Sequence, residues 1–505
     1  MKREVLPLRG KENRKSILKR LVLPMTALLI IQVLLFGGTI LFGGTIEQLN
    51  DNAAEILNER VESRKDYLQN DMLFRWSNLS DTAPEINRTI SQVLQEQGKG
   101  YSDLCIGEEV SLKALENVSQ NMIYLLRKNS VTGVFLVFSG AGEVPDQQGN
   151  LFKAGLYLRT SDPSSATGDL SDLLAVRGSS QLTKNLNIST DPAWSPAFNF
   201  RGGKEGHSGY AFYYNPIEAA AQFNGVDDTD LCYWSRPFSL RGDEKKILTY
   251  SMPLIADDGT IFGVLGVEVS VSYLQKLLPY DEIAADKKGA YLLAVGNEQS
   301  SEYRCMVGTG PLYTRLNMDT VRIADDTAYQ NIYRLSLDEK TYGKTYCSIQ
   351  KLQLYNTNTL FAGEEWVLIG IMQGKDLFGF SNRVQVTVAI DIVLSLSIGV
   401  FSIFLTAKGL TRPVESLVSQ VKASDPHLPV HFPKTNITEV DALSDAIEKL
   451  SRDVSESSSR MSQIIEMTSY QIGAFEWKRE SREVNCTRRF FEVFDMCEPV
   501  PYPVT

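Results

Sequence analysis

Five side chains carry the chemistry from which a small-molecule pocket is most readily built. Aromatic faces bind organic cations and apolar groups, and an arginine adds a charged hydrogen-bond donor. The candidate ligand-binding residues are Arg159, Trp194, Tyr213, Tyr214 and Trp234. The alternative is that the aromatics fill the core and edges of a sheet, because large aromatic side chains are mostly buried for packing.

Catalytic motifs are absent from the sequence. It has no phosphate-binding loop, no G-x-S-x-G, no H-E-x-x-H and no kinase nucleotide motif. The three histidines, His207, His427 and His431, do not combine with cysteines at metal-ligand spacing. We therefore expect no metal, cofactor or catalytic residue within residues 1–505. The net charge of −10 argues against nucleic acid as a partner.

Two long apolar stretches predict transmembrane helices. Residues 21–46 contain no charge, and residues 384–407 contain one, Asp391. About 20 apolar residues in a helix cross a hydrocarbon core of about 30 Å, and the first stretch is too long for a signal peptide. Asp391 lies either near the outer headgroups or in a contact between helices that tunes signalling, because intramembrane acids are costly and often functional.

Positive charges orient these two helices. Eight Lys and Arg residues lie in the tail 1–20, and more follow the second span, whereas Arg383 stands on its other side. Positively charged flanks stay in the cytoplasm. We expect a multi-pass plasma-membrane protein in contact with lipid, with both termini cytoplasmic and residues 47–383 outside.

The outside segment divides into a helical stalk and two β-rich modules. Apolar residues such as Ile46, Ala53 and Ile56 keep helical spacing, so stalk helices are predicted over 47–127 with a break near Gly98. β-rich runs predict a distal module over 128–280 and a proximal module over 285–380.

The stretch "YSMPLIADDGTIFGVLGVEVSVSYLQ", residues 250–275, predicts a strand, a turn, a second strand and the start of a helix. Asp and Gly suit the turn, and Ser270 or Ser272 suits the helix cap. Val267 and Val269 alternate with Glu268, which predicts one buried and one solvated face of the strand.

Four cysteines lie in the predicted outside segment. Disulfides form in oxidising compartments, and the module boundaries favour Cys305–Cys347 with Cys105–Cys232 among three connectivities. The alternative is that they are buried free thiols.

The segment after the second span predicts two helices around a proline-rich connector. From Val440 to Ile464 apolar residues follow a heptad-like repeat, which indicates parallel association of helices and hence a homodimer. Residues 457–505 continue the coiled coil and then have the pattern of a strand, a turn, a strand and a helix. This last part is too short to form a stable core of its own. We expect the last domain to be incomplete.

Three segments resemble known signalling domains. With "WSRPF" (234–238) and the stretch 250–275, residues 47–383 resemble a double Cache sensor domain. With "TRP" (411–413), Glu439 and the heptads, residues 408–456 resemble a HAMP linker, although "SDPHLP" replaces the usual Gly-Asp. "IGAFEW" and "NCTRRFFEVFDM" are similar to the start of a PAS domain. The resemblance implies an α+β membrane protein in which two transmembrane helices flank an extracellular, PAS-like α/β double Cache domain on a long stalk helix. A cytoplasmic parallel helical bundle and a partial PAS-like segment follow.

The resemblance also implies a function. Such a protein is a transmembrane signal receptor that senses an extracellular small molecule, with a relay through Asp391, Pro413 and Glu439 to an output domain. That output is foremost a diguanylate cyclase beyond residue 505. A histidine kinase sensor or a chemoreceptor is the alternative within signalling, and a non-signalling surface ligand-capture protein is the alternative outside it.

One feature of amino-acid-binding members of the family is only partly matched. They carry an arginine and then a Trp-Tyr pair leading into a helix. Tyr213 and Tyr214 stand in place of the pair, and Gly209 to Ala211 stand where the arginine is expected. A carboxylate clamp is therefore not carried over, and an amino-acid ligand stays open.

Overall fold

The protein is described from a computed structural model that covers residues 17–140, 145–165, 170–201, 208–223, 226–240, 242–284, 288–297, 301–356, 359–424, 428–467, 475–478, 483–486 and 490. It forms two compact units, Met1–Gly43 with Thr387–Thr505, and Gly44–Val386. His207, His427 and most of the PAS-like segment lie outside the described residues.

Three helices open the Gly44–Val386 unit. They are α2 (Thr45–Asn70), which runs on into a π-helical turn (Asp71–Trp76), α3 (Ala83–Gln97) and α4 (Glu109–Asn129). The helix α3 ends at Gly98, whose φ of 63° is left-handed and suits glycine. A further break between Trp76 and Ala83 was not predicted, although Pro84 in the first turn of α3 marks it.

The buried face of α2 differs from the predicted one. Ala54, Leu57 and Val61 are at most 2% exposed, whereas Ile56 is 47% exposed. The buried positions keep helical spacing, but they are shifted by one residue from the predicted stripe. Spacing fixes the period of a helix, and its rotation is decided by the sheet against which it packs.

A seven-stranded sheet forms the distal module, in the order β5-β4-β3-β1-β9-β8-β7. All pairs are antiparallel except β4 with β5. The strands are β1 (Gly133–Phe138), β3 (Gly155–Thr160), β4 (Leu173–Arg177), β5 (Ser189–Ser195), β7 (Tyr233–Trp234), β8 (Ile247–Ile255) and β9 (Ile261–Ser270), and a separate pair is β2 (Phe152–Lys153) with β6 (Phe198–Asn199). The remaining distal helices are α5 (Ser180–Asn185), α6 (Ala211–Gln222) and α7 (Val271–Lys276).

The prediction that β9 has a solvated face is wrong. Eight of its ten residues are buried, and Glu268 is 0% exposed. The strand is central in the sheet, and the two hydrophobic clusters of the module pack on its opposite faces, with Val267 in one and Val264 in the other. In this strand the alternation of polar and apolar residues therefore marks a buried polar side chain and not a solvent-exposed face.

The turn and the helix cap at the two ends of β9 are confirmed. Asp258 Oδ1 accepts the N–H of Thr260, and Gly259 has a φ of 83°. Ser270 Oγ accepts the N–H of Tyr273, so Ser270 is the cap of α7. Both features depend on neighbours in sequence. The helix α6 begins at Ala211 and encloses Pro216.

Six strands close into a barrel in the proximal module, each paired with the next and β10 paired with β15. They are β10 (Ala290–Asn297), β11 (Glu302–Thr309), β12 (Thr320–Asp326), β13 (Ile332–Leu335), β14 (Thr345–Leu352) and β15 (Glu365–Gln373), with the short helices α8 (Pro311–Leu316), α9 (Glu339–Tyr342) and α10 (Gly374–Leu377). Asn58 Oδ1 of α2 accepts hydrogen bonds from Ser348 and Gln350, which fixes the barrel to the stalk.

Among the residues that the structure describes, two helical segments are long and apolar enough to cross a membrane: Leu21–Trp76, which includes most of α1 (Ile17–Phe42), and α11 (Gly379–Ala423). The helix α1 ends before Gly43, a few residues short of the predicted end of the span. Gly37 and Gly399 lie where the two helices touch, since a Cβ at Gly37 would meet Ile392 and one at Gly399 would meet Leu29. Small residues at such contacts let helices approach closely.

The described residues after α11 include one further long helix, α12 (Thr438–Met467), and a short hairpin of β16 (Phe475–Lys478) with β17 (Glu483–Cys486). Leu417 of α11, Phe432 of the connector and Val440 of α12 form a small buried cluster. The rest of the heptad stripe is solvent-exposed in the single chain, for example Leu450 at 64% and Met461 at 61%.

Candidate ligand-binding site

A cavity of about 350 Å³ lies in the distal module, between the ends of β4 and β5 and the segments around β6 and α6. Ligand pockets typically measure roughly 300–1,000 Å³. Its lining combines aromatic rings with a few polar groups, among them Arg177, Trp194, Asn199, Phe200 and Tyr210. This composition fits a small organic ligand.

Trp194 is the predicted site residue that lines this cavity. It is half-buried on β5, and its Nε1 donates to the carbonyl of Gly178 at 3.1 Å. That hydrogen bond fixes the indole ring while leaving a face toward the cavity. Tyr210, just before α6, completes the aromatic wall by contact with Phe200, at 5.1 Å between ring centroids.

Tyr213 and Tyr214 do not line the cavity. Tyr213 is 1% exposed and stacks on Phe200 at 4.6 Å between centroids, and Tyr214 packs edge-on against Tyr213. Both belong to the aromatic core of this face of the sheet. Because α6 begins at Ala211, its first turn points these rings inward, behind the cavity wall.

Trp234 lies in the core on the other side of the sheet. Its side chain is fully buried and packs against Trp76 of the stalk and against Tyr250, at 6.5 and 4.9 Å between ring centroids. Its backbone N–H donates to the hydroxyl of Tyr355 from the proximal module at 2.8 Å. It therefore joins the stalk and the two modules and does not contact the cavity.

Arg159 is the centre of a buried charge cluster. Its Nε lies 3.1 Å from Glu268 Oε2, its NH1 lies 2.7 Å from Asp243 Oδ2, and its NH2 donates to the Tyr157 hydroxyl at 2.9 Å. Asp191, on β5 directly before the cavity-lining residues 192–195, lies 3.9 Å from the same NH1. The side chains of all four charged residues are at most 4% exposed.

A glycine makes room for this cluster in the middle of the sheet. Gly133 on β1 is paired with Arg159 on one side and with Glu268 on the other. A Cβ at Gly133 would lie 2.7 Å from Glu268 Oε2 and 3.0 Å from the Tyr157 ring. Only a residue without a side chain lets the two charged groups meet across the central strand.

Arg177 links the cavity to this cluster. It is 4% exposed, and its NH1 donates to the carbonyls of Val176 and Ala193 at 2.7 Å each. Burial lowers the pKa of Arg177, and Asp243 opposes this effect. The guanidinium stays charged, since an arginine remains protonated in proteins, and it presents a cation to the cavity.

Glu268 has an unusual protonation equilibrium. Burial raises its pKa to about 8, and the hydrogen bond from Thr132 opposes that rise. Thr132 Oγ1 lies 3.1 Å from Glu268 Oε1 and accepts the N–H of Ser270 at 2.7 Å. Glu268 is therefore connected to the residue that caps α7.

Sequence reasoning missed Arg177, Asp191, Asp243 and Glu268. The available signal was a glutamate in the middle of the apolar run "GVLGVEVS", which was interpreted as solvated. A charge in a strand that is apolar at every other position indicates a buried partner when the strand is central.

Neither predicted disulfide is formed. Cys232, Cys305 and Cys347 are free thiols, and Cys105 Sγ donates to the carbonyl of Ser102 at 3.3 Å. Cys347 points into the barrel core and Cys232 into the core beside the stalk. Burial raises the pKa of both thiols to about 12, so they behave as small apolar side chains.

The three predicted relay residues lie on long helices. Asp391 and Glu439 are exposed, on α11 and at the start of α12, and Pro413 is half-buried within α11. Glu448 and Asp441, which were not predicted, hold the connector. Glu448 Oε1 accepts the N–H of Phe432 at 2.6 Å, and Asp441 Oδ1 accepts that of Thr435 at 2.7 Å.

Within the described part of the chain, no cluster of three or more His, Cys, Asp or Glu side chains is arranged to hold a metal ion.

No family model and no curated protein matches the sequence. Among solved structures, the chain is similar to the periplasmic sensory domain of the Campylobacter jejuni chemoreceptor Tlp1, with 11% identity, a TM-score of 0.35, and 65% of this chain and 98% of that one covered. It is also similar to the ligand-binding domain of the Pseudomonas fluorescens chemoreceptor CtaA in complex with L-isoleucine, with 12% identity, a TM-score of 0.29 and coverage of 66% and 98%. The chain is similar as well to the ligand-binding domain of Mlp24 with asparagine. The identity is 11%, the TM-score is 0.31, and 67% of this chain and 98% of that one are covered.

Proposed function

We propose that the protein is a transmembrane receptor whose distal module binds a small organic molecule outside the cell. The observation that carries this proposal is the cavity lined by Arg177, Trp194 and Tyr210, in a unit that follows one apolar helix and precedes another. A pocket alone is compatible with many classes of protein. A pocket in a segment that lies, in the sequence, between two apolar helices favours a receptor.

The cavity favours a ligand of amino-acid size that carries a carboxylate. Arg177 supplies the buried cation, and the rings of Trp194 and Tyr210 supply apolar contact. The carboxylates of Asp191 and Asp243 stand close behind Arg177 and suit an ammonium group. An organic cation held by the aromatic faces is the second candidate.

A route for the signal runs through the buried charge cluster. Ligand contact with Arg177 would shift β5 and Asp191, and Arg159 connects Asp191 with Glu268. Thr132 connects Glu268 with the cap of α7, which begins the passage to the proximal module. The coupling is limited to the difference in ligand affinity between two states, typically about 1–3 kcal/mol.

Homodimerisation on the cytoplasmic side is part of the proposal. The exposed apolar residues of α12 at heptad spacing, such as Leu443, Leu450 and Val454, gain burial when a second copy packs against them in parallel. A diguanylate cyclase, a histidine kinase and a chemoreceptor signalling domain all suit such a bundle as output. Both termini are placed in the cytoplasm by the positive flanks.

Binding is tested on the full chain in detergent by tryptophan fluorescence and thermal unfolding with a panel of amino acids and organic cations. A ligand at 100 times its Kd raises the free energy of unfolding by about 2.7 kcal/mol. Trp194→Phe is expected to remove the fluorescence response, and Trp477→Phe, on the cytoplasmic hairpin, should leave it intact. If every compound leaves both signals unchanged, the ligand class is wrong.

Deletion of residues 438–468 separates a receptor from a surface capture protein. A receptor loses its cellular response to the ligand while binding persists. A capture protein keeps its function, and that outcome would reject the proposal. Asp391→Leu tests the relay in the same assay, since an unchanged response discards a role for this residue.

A further inference from the structure

A second cavity lies at the membrane-proximal end of the proximal module and plays no part in the function proposed above. It measures about 460 Å³ and is enclosed by the turn between α9 and β14, by α10, and by the first turns of α2 and α11. Gln373 Nε2 donates to the carbonyl of Tyr342, and the N–H of Gly374 donates to that of Lys344, each at 2.7 Å. These hydrogen bonds join the segment around Tyr342 and Lys344 to the segment around Gln373 and Gly374, and the two segments form two walls of the cavity.

The charge of this cavity is positive. Arg315, Lys344 and Lys375 line it, and no carboxylate is among its described lining residues. Within the described part of the chain, Lys344 and Lys375 form no ion pair, whereas most neighbouring lysines of the module do, such as Lys288 with Asp376. Arg315 rests on the Tyr342 ring, 5.9 Å from its centroid. Three cationic side chains around one cavity, without a lining carboxylate, favour an anion as its ligand.

The position of the cavity in the chain places it beside the lipid headgroups. Asn382 on its wall comes two residues before Val384, where the apolar stretch of α11 begins. Asn50 on the opposite wall follows closely on the first apolar stretch, and Ser381 Oγ donates to Asn50 Oδ1. Since a helix rises about 1.5 Å per residue, both asparagines lie within a few ångströms of the predicted hydrocarbon boundary.

Aromatic side chains at the same level fit this location. Tyr342, Tyr346 and Phe378 line the cavity, and Phe380 is 62% exposed next to it in sequence. Tyrosines and other aromatic rings are favoured where one end is apolar and the other is wet. Arg383 adds a further positive charge here. It lies on the predicted outer side of the second span, in contrast to the positive residues on the predicted cytoplasmic side.

We propose that this cavity binds the phosphate of an anionic phospholipid headgroup in the outer part of the membrane. Lys344 and Lys375 pair with the phosphate oxygens, Arg315 adds a third donor, and the aromatic rings contact the glycerol and the first methylenes. Such a lipid would tie β14, β15 and the start of α11 to the bilayer, at the point where a signal must enter the second span. The inference rests on the two-span topology of the proposed receptor.

The test uses the full chain in phosphatidylcholine vesicles that contain a photoactivatable phosphatidylglycerol. We expect cross-links to peptides spanning 339–346 and 373–382. The variant Lys344→Gln/Lys375→Gln should reduce them about fivefold per lysine, whereas cross-links to the apolar helices and to residues 408–422 persist. The matched control Lys113→Gln/Lys184→Gln removes the same charge from α4 and α5 and should change nothing.

Other outcomes separate the possible errors. Cross-links at 339–346 that survive in Lys344→Gln/Lys375→Gln overturn the site. If millimolar inorganic phosphate removes them in the wild type, the cavity takes a soluble anion and the lipid assignment is wrong. Absence of cross-links to residues 384–407 instead contradicts the two-span topology, and so distinguishes failure of the proposed receptor from failure of the lipid site.

Discussion

Arg159 Nε donates a hydrogen bond to Glu268 Oε2 across Gly133, at 3.1 Å, in the centre of the distal sheet. The two residues are separated by 109 positions in the chain and stand on strands that do not touch each other. The strand between them contributes no side chain at this level. The pair is connected with the cavity-lining strand β5 through Asp191 and with the cap of α7 through Thr132.

The variant Gly133→Ala tests whether Arg159 and Glu268 need the space left by the missing side chain of Gly133. Its Cβ would approach Glu268 Oε2 to 2.7 Å, in a strand that is buried along its whole length. We expect a loss of about 1–3 kcal/mol in the free energy of unfolding, as is typical of overpacking, measured by denaturant titration. Gly363→Ala is the control, because no atom lies within 4 Å of its Cβ, and equal losses in both variants would contradict the interpretation.

The pH dependence of stability should report Glu268. Its pKa is raised by burial from an ordinary 4.5 to about 8 in the folded protein, so the folded state binds more protons than the unfolded state between these values. The contribution of Glu268 to stability is then complete below pH 4.5 and is lost as the pH rises through about 8. The melting temperature of the wild type should fall more steeply across this window than that of Glu268→Gln. Parallel curves would show that Arg159 keeps Glu268 ionised.

The thiols of the Gly44–Val386 unit should stay free of disulfides. Burial raises the pKa of Cys305 to about 11 and that of Cys232 and Cys347 to about 12, and the thiolate is the reactive form. Native alkylation followed by peptide mapping should label the partly exposed Cys105 first, and the two fully buried thiols only after unfolding. A disulfide-linked peptide in non-reducing mass spectrometry would contradict the structure.

Glu448 should hold the connector between α11 and α12. The Phe432 amide and then His431 lower the pKa of Glu448, so the carboxylate is ionised at neutral pH and forms a charge-assisted bond. Glu448→Gln should speed hydrogen exchange of the Phe432 amide, measured by mass spectrometry. Glu439→Gln, at an exposed position of the same helix, is the matched control, and exchange that is faster only in that variant would contradict the role of Glu448.

The sequence by itself determined the features that depend on near neighbours. The two apolar helices follow from length and composition, the turn at Asp258–Gly259 from its two residue types, and the Ser270 cap from its place before α7. A helix period, a tight turn and a cap each involve only a few consecutive residues, so local chemistry is sufficient to specify them.

Only the tertiary structure decided which faces are buried and which charges meet. The stripe of α2 was displaced by one residue, and Glu268 was assigned to solvent, because burial depends on what packs from elsewhere in the chain. Tyr213 and Trp234 proved to be core residues for the same reason. The pairing of Arg159 with Glu268 needed three strands in register and a glycine between them, and such a register is set by hydrogen bonds between distant segments.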